Sequence, residues 1–578
     1  MKNIFKKAVL ASAVLGALTT TSCNDFLTLE PQDKEVLSTY FSTPEALRNE
    51  TLTLYSAKVW SNFFMNYNWK FDMLNGDMYY TYSEEGQWYF GTYTEGNSYI
   101  REGWKGLYNV ISFCNSIIND TPGACGGSIT QDDITKAVAE ARCIRSLAYY
   151  YLTEAFHDAP IISNNSENIA SGNLNTPRNP QKDIYRFALE DADFAVENLP
   201  ETDSQVFRAT KKTAHAIRAK LLITMAAHTD YGYDRAALYS RAAADAKYVI
   251  DNSGDLTKNS YEELFTIAAN NGPESILAIQ CGVLGWSFGN QRPTAFTRDG
   301  GNLLADYSCW GGGKGPCISL QKMYEPNDVR AKWTFMAPGD YYPNLNKENG
   351  GYTYQLIVAD DAGTEIQGRI GTNAHLKKYV IGKSSDNDGQ IGANQDAAIN
   401  FYLIRLADVY LTYTEAIMGT ATSTSDAQAL AAYNTVRTRA GVPSATSVTY
   451  KELLKERRRE FAIESINWYD ILRLRYREGD QVALDFLNSG YETGYNRVAL
   501  YVPNDWNEYN SMDVAQKNDV NNYKIAQSQA DGCDADPIYF TASSFIVPLP
   551  SSATTSTPAL LGDIVPYYSD GGSESEGE

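Results

Sequence analysis

Beyond its first 22 residues the sequence has no apolar run approaching the roughly 20 residues that a membrane-spanning helix needs. Positive charge is also scarce. Lys and Arg number 49 against 70 Asp and Glu, a formal net charge of −21. So acidic a surface argues against nucleic acid and against charge-driven binding to anionic lipid. There are only four histidines, and no two cysteines have CxxC spacing, so no zinc site is expected. Eight cysteines are too few to staple a chain of 578 residues. Cys309 and Cys317 flank WGGGKGP and could close a loop, whereas Cys114 and Cys143 fall in helical patterns and read as small core residues.

What the chain does have is apolar and aromatic content, 43% and 12%, which excludes a disordered polymer. Tyrosine alone accounts for 41 residues. Its flat face and hydroxyl suit wet, polar ligands such as sugars and peptides, although many of these rings will be core. At the start, Lys2, Lys6 and Lys7 precede an apolar run from Ala8 to Leu18 and then Thr-Thr-Ser-Cys23. This pattern is a secretory signal peptide, residues 1–22, too short to span a bilayer. Small residues before Cys23 indicate lipoprotein processing, with Cys23 acylated as the mature N-terminus, although Thr20 stands where Leu is usual. Residues 1–22 hold three lysines and no acid, so processing moves the net charge from −21 to −24.

Helix signals then recur along the chain. Thr43-Pro44 caps an amphipathic stretch to about Val59, and residues 104–118 follow. Thr130 with Asp133 resembles a capping box for a helix ending near Phe156. Further helices are expected at 180–199, 212–228, 234–251 and 405–419. Ser425 with Gln428, and Thr449 with Glu452, cap the last two; the second is read as one helix from 450 to 475. Leu454, Arg458, Phe461, Ser465 and Trp468 mark a single face of it.

Four helix pairs can be drawn, 104–156, 180–228, 234–251 with 403–419, and 426–473, in a loosely tetratricopeptide-like arrangement. The fold class expected is therefore mostly α, a helical-repeat scaffold with a large loop-rich insertion and minor β. Its segments would be 23–103 (one helix and ligand-side loops), 104–251 (repeats), 252–400 (insertion), 401–473 (repeats) and 474–568 (mixed, with short strands near FIVPLP). The tail 569–578 reads as disordered. Residues 60–100 and 281–360 share an irregular character.

Enzyme motifs fail on their contexts. GWSFG at 285–289 matches G-x-S-x-G, but that motif needs a helix directly after the serine, and Asn-Gln-Arg-Pro293 follows instead. GGGKG lacks the phosphate-loop spacing. Acidic residues are too many for any glycosidase pair to be singled out. No cofactor is expected; SSDNDGQ at 384–390 has calcium-loop oxygens, with Gln395 where the bidentate Glu belongs, which leaves a structural calcium ion open. Arg457, Arg458 and Arg459 fan around their helix and are expected to pair with acidic neighbours.

The ordered set CNDFLTLEPQDK, WKGLYNVISFCNSII, EARCIRSLAYYYLTEAF, RLADVYLTYTEA, AYNTVRTRAGVP, ERRREFAIESINWYDILRLR, IVPLP and PALLG resembles the SusD/RagB family over nearly the whole mature chain. Asn467 departs from the Arg, and Cys143 from the aromatic, usual in that pattern. The resemblance implies an outward-facing outer-membrane lipoprotein of Bacteroidetes that is not an enzyme. It would capture an oligosaccharide (peptide in some members) and pass it to a SusC-like TonB-dependent transporter. A glycan-degrading lipoprotein is the alternative from another class.

By that analogy the irregular regions carry the ligand. Sugar recognition needs flat rings with planar polar groups beside them. Trp88 and Tyr89 with Asp72, Asn75 and Asp77 form one candidate group. Trp286, Phe288, Arg292 and Arg298, then Trp310, and then Tyr341 with Tyr342 form the others. Alanine at Trp88, Trp286 or Trp310 is expected to weaken binding without unfolding the scaffold. Trp104 and Trp468 lie at core spacing and read as structural.

Overall fold

The computed structural model describes residues 41–298, 303–393 and 395–568; the signal peptide, Cys23 and the tail from 569 lie outside the described residues. Nine principal helices organise them. Asn97 caps α1 (Ser98–Asn119), whose buried Leu107, Val110, Ile111, Cys114 and Ile117 recur three to four apart. A true capping box at Thr130 and Asp133 opens α2 (Gln131–Phe156). Then come α3 (Gln181–Asn198), α4 (Lys211–Ala227) and α5 (Arg235–Asp251). After the insertion stand α6 (Leu406–Met418), α7 (Ala427–Arg439), α8 (Tyr450–Phe461) and α9 (Asn467–Glu478). Asp426, not Ser425, caps α7.

From α1 to α7 each helix packs on the next, so α5 meets α6 across the whole insertion. The insertion is closed at its root by an antiparallel pair, Ser275–Ile279 with Phe401–Arg405, in the register Phe401 opposite Ile279. The last expected helix pair, 426–473, is looser than drawn: α7 and α8 both pack on α6, and they meet each other through the Arg437–Glu456 and Arg439–Glu460 ion pairs. The protein is thus mostly helical, with small two-stranded sheets in the insertion and the C-terminal region, one tying Met78–Tyr79 to the insertion and one pairing Ser423–Thr424 with Val448–Thr449.

Three expectations need correction. The helix read from 450 to 475 breaks after Phe461 and restarts at Asn467, with Ile463 and Ser465 in left-handed backbone. The carbonyls freed by the break are not orphaned: Lys378 donates to Glu460 and Ala462, and Arg292 donates to Ile463. Residues 60–90, expected as ligand-side loops, form short helical segments including a π-helical turn at Asn62–Tyr67. Phe63, Phe64, Tyr67, Trp69 and Phe71 from this region lie in the main core. The C-terminal strands are Leu500–Pro503 and Tyr523–Ala526, not the FIVPLP segment.

Cys114 and Cys143 are buried free thiols, and Cys317 is one too, so it closes no loop with Cys309. Trp468 is fully buried, and Trp104 packs against Tyr108 and Phe156. Arg457, Arg458 and Arg459 pair with acids, as their spacing implied, but in the interior: with Asp408 and Asp470, with Asp77, and with Glu456.

Candidate functional site

The insertion delivers its exposed rings from one short helix, Arg292–Phe296, with Pro293 in its first turn and every residue buried. Arg292 fixes it to the scaffold, donating to the Ile463 carbonyl, Asn68 Oδ1 and Ser465 Oγ at 2.9–3.0 Å. A turn enters this helix and a second loop returns to it. Gln291 Nε2 donates to the Trp286 carbonyl, which ties the turn down and leaves the Trp286 ring 54% exposed. The Trp310 amide donates to the Thr294 carbonyl at 3.0 Å, and Gly311 to Thr297 at 2.9 Å, with the Trp310 ring 39% exposed. Only glycine fits at 311, since a β-carbon there would collide with the Phe296 carbonyl.

A third ring arrives by strand pairing. Met78–Tyr79 runs antiparallel to Gly315–Pro316, which sets the following Tyr80 against Gly313 and Lys314 at the foot of the Trp310 loop. Tyr82 follows, 73% exposed, its ring 6.4 Å from that of Tyr80. Beneath them two buried lysines share one carboxylate: Lys70 lies 2.9 Å and Lys314 3.8 Å from Glu85. Burial lowers both ammonium groups, Lys70 to about 7 and Lys314 to about 8, with Glu85 pulling the other way. Burial alone would raise Glu85, but the two lysines outweigh it and hold the carboxyl below its ordinary value.

Besides Arg292, seven of the residues singled out from the sequence do not face solvent. Asp72 accepts from the Ser465 amide and hydroxyl, and Asp77 pairs with Arg458 and accepts from Asn467, the residue that departs from the family pattern. Asn75 donates to Asp77. Trp88 is 0% exposed, stacked on Tyr93 and edge-on to Tyr67 and Phe71. The Tyr89 hydroxyl donates to the Arg497 carbonyl. Arg298 gathers the carbonyls of Gln355, Leu356 and Gly368. Tyr342 is buried and donates to the Lys332 carbonyl. Each binds protein, so none presents a surface to a ligand. Tyr341 is exposed but stands on a separate hairpin with Thr353, its hydroxyl bound to the Gly350 carbonyl. Tyr80 and Tyr82 escaped the sequence reading; the run YYTY was the signal, since alternation along an extended chain puts Tyr80 and Tyr82 on one face and Tyr79 on the other.

The other motifs resolve locally. Ser287 accepts from Lys58 on a turn, with the helix starting five residues later, so the hydrolase elbow is not built. Asp386 accepts backbone N–H bonds from Asn346, Lys347 and Lys383 at 2.8–2.9 Å, so its carboxylate is held by the backbone of this loop and its neighbour. No described helix is long and apolar enough to cross a membrane.

Comparison with known proteins bears on this architecture directly. The family model described as "SusD family" matches residues 318–568, and one described as "Starch-binding associating with outer membrane" matches 25–223. A SusD-like protein of Bacteroides ovatus is 30% identical over 98% of this chain and 99% of its own length. The chain belongs to the SusD family. A solved structure described as "with xylogluco-oligosaccharide" is 26% identical, with a TM-score of 0.75 over 90% of this chain and 99% of that one. The surface glycan-binding protein A of Bacteroides uniformis, at 19% identity and TM-score 0.63 over 90% of this chain and 99% of that one, shares the fold. Against this SusD frame, the exposed rings of Tyr82, Trp286 and Trp310 all lie outside the helical stack, on loops that the stack holds.

Proposed function

We propose that this SusD-family chain binds an oligosaccharide on the exposed rings of Trp286, Trp310 and Tyr82 and does so without catalysis. On this reading Cys23 carries the lipid that holds it at the outer-membrane surface, facing outward. The captured glycan passes to a SusC-like TonB-dependent transporter. The observation that carries the binding reading is that two part-exposed rings, Trp286 and Trp310, are brought to one short helix by built contacts. Exposed aromatics usually cost solubility, and rings held out by a rigid support read as a ligand surface. Stacking on a sugar face releases water from its C–H groups, and no deep enclosure is needed. The relative solved with a xylogluco-oligosaccharide makes a neutral glycan the first ligand to try.

The acidic chain, at −21, favours neutral over anionic glycans. Affinity should be modest, since an open platform orders a flexible ligand and covers one side of it.

The test is affinity electrophoresis of the soluble chain from residue 24 against neutral and acidic polysaccharides, with peptides titrated alongside. Retardation by a neutral glycan, with no reducing ends released, is expected. Response to peptides alone would move the chain to peptide capture, and reducing ends lost on mutating one carboxylate would make it an enzyme. The lipidated chain should co-purify with a TonB-dependent transporter from native outer membranes.

A further inference from the structure

A cleft of about 670 Å³ lies between residues 262–270 and the segments around Trp333, Asn344 and 377–390. None of Tyr82, Trp286 or Trp310 lines it. Its floor backs onto the site already described: Phe265 packs against Tyr379 at 5.3 Å, and Tyr379 lies 5.1 Å from the Arg292 guanidinium. The volume falls within the roughly 300–1,000 Å³ of ligand pockets.

Lys377 at its wall and Lys378, the next residue along the chain, are treated very differently. Lys378 is saturated by the carbonyls of Glu460 and Ala462 and by the Glu464 carboxylate at 2.7 Å. Lys377, only 8% exposed, lines the cleft and donates to one acceptor, the Val380 carbonyl at 3.0 Å. It has no carboxylate within ion-pair distance among the described residues and faces the rings of Trp333 and Tyr342 at 5.3 and 5.7 Å. An ammonium carries three donors, so two remain unused. The residue after the two lysines, Tyr379, is held at φ 63°, a left-handed conformation that a bulky side chain adopts only when its surroundings impose it. Burial lowers the Lys377 ammonium to about 8, with the charge of Glu262 opposing it only in part.

The rim has the opposite character. Glu262, Glu263 and Asp388 are exposed there beside one cation, Lys347, whose ammonium donates to the Asp386 carbonyl, and the side-chain amides of Asn344 and Gln390 make no hydrogen bond among the described residues. An anion reaching Lys377 must pass three carboxylates, and a cation must approach a buried ammonium. A neutral polyhydroxyl ligand meets neither penalty. Its hydroxyls accept from Lys377 and donate to the rim acids, while Trp333 and the apolar floor of Phe265 and Ile381 take its C–H faces. We infer that this cleft is a second saccharide site, selective for a neutral oligosaccharide and separate from the exposed rings. It uses none of the rings on which the proposed function rests.

The experiment is ¹⁹F NMR of the soluble chain from residue 24 labelled with 5-fluorotryptophan. Trp333 reports the cleft, Trp286 and Trp310 report the exposed surface, and buried Trp88 and Trp468 report folding. The probes are xyloglucan heptasaccharide, laminarihexaose and trigalacturonate. The Trp333 signal should move with a neutral oligosaccharide, and should still do so in Trp310→Ala. Lys377→Met should weaken the Trp333 titration about tenfold and leave those of Trp286 and Trp310 unchanged. If Lys377→Met disturbs the Trp88 or Trp468 signal, Asn344→Ala on the exposed rim repeats the test, with about a threefold loss expected. A Trp333 signal static toward both neutral probes, responsive to trigalacturonate alone, or indifferent to both substitutions overturns the inference. Movement at Trp333 with silence at Trp286 and Trp310 would instead overturn the surface reading and leave this one standing.

Discussion

Ser465 donates both its amide and its hydroxyl to the Asp72 carboxylate, each at 2.9 Å, at the point where the chain between α8 and α9 breaks. Arg292 reaches the same break, through Ser465 Oγ and the Ile463 carbonyl. The helix that anchors the loops of Trp286 and Trp310 is therefore hung from a scaffold discontinuity that Asp72 holds open. This explains why a polar residue near the aromatic-rich region is fully buried: it supports the ligand surface from behind.

That arrangement predicts an unusual pH response. Burial pushes the Asp72 carboxyl up to about 7, with Arg292 and the Ser465 bonds opposing it only in part. The unfolded carboxyl titrates near about 4, so between those values the native state binds more protons. Stability from this group is then present at low pH and is lost as pH rises from about 4 through about 7. Asp72→Asn cannot titrate. In urea unfolding, the stability of the native chain relative to Asp72→Asn should fall over that range and level off above it. A difference that stays flat with pH would contradict the buried, proton-holding Asp72.

The opposite sign is expected at Glu460. Burial would raise its carboxyl, but Arg439, Arg405 and Arg330 outweigh that and hold it below the ordinary range. Its contribution is present above the unfolded value of about 4.3 and is lost as pH falls below it. Glu460→Ala should cost about 3–5 kcal/mol at neutral pH, because three arginines remain buried with one partner fewer each. Chemical denaturation at pH 7 and again below pH 4 checks both statements, since the difference should shrink in acid.

Tryptophan substitutions should separate into two kinds. Trp88→Ala empties a site bounded by Tyr67, Phe71 and Tyr93 and should destabilise the fold by about 3–5 kcal/mol. Trp310→Ala removes a ring from an exposed loop and should stay within about 0.5 kcal/mol of the native chain. Thermal or urea unfolding of the two variants distinguishes them, and equal losses would contradict the placement of either ring.

The helical stack was legible because its signals are local. The capping box at Thr130 and the three-to-four spacing in α1 are set by neighbours along the chain. The break after Phe461 was not, because the groups that satisfy it come from Asp72, Arg292 and Lys378, far away in sequence. The face drawn through Leu454, Phe461 and Trp468 is buried on both sides of the break, so periodicity alone could not reveal it. The same limit governed the ligand residues. Trp88 and Trp286 have equally aromatic surroundings in sequence, and only tertiary packing decides that one is core and the other exposed. Tyr82 went unnoticed because the pairing of Met78–Tyr79 with Gly315–Pro316 spans more than 200 residues.

The most direct test of the central claim is isothermal titration of xyloglucan heptasaccharide, or of whichever neutral glycan retards the chain, into the native protein, Trp286→Ala, Trp310→Ala and the double variant. Each single loss should weaken binding about tenfold, within the ~1–3 kcal/mol of a buried aromatic contact, and the double variant should abolish it, with unfolding curves unchanged. Full affinity in the double variant would contradict the assignment of the exposed rings as the glycan-binding surface.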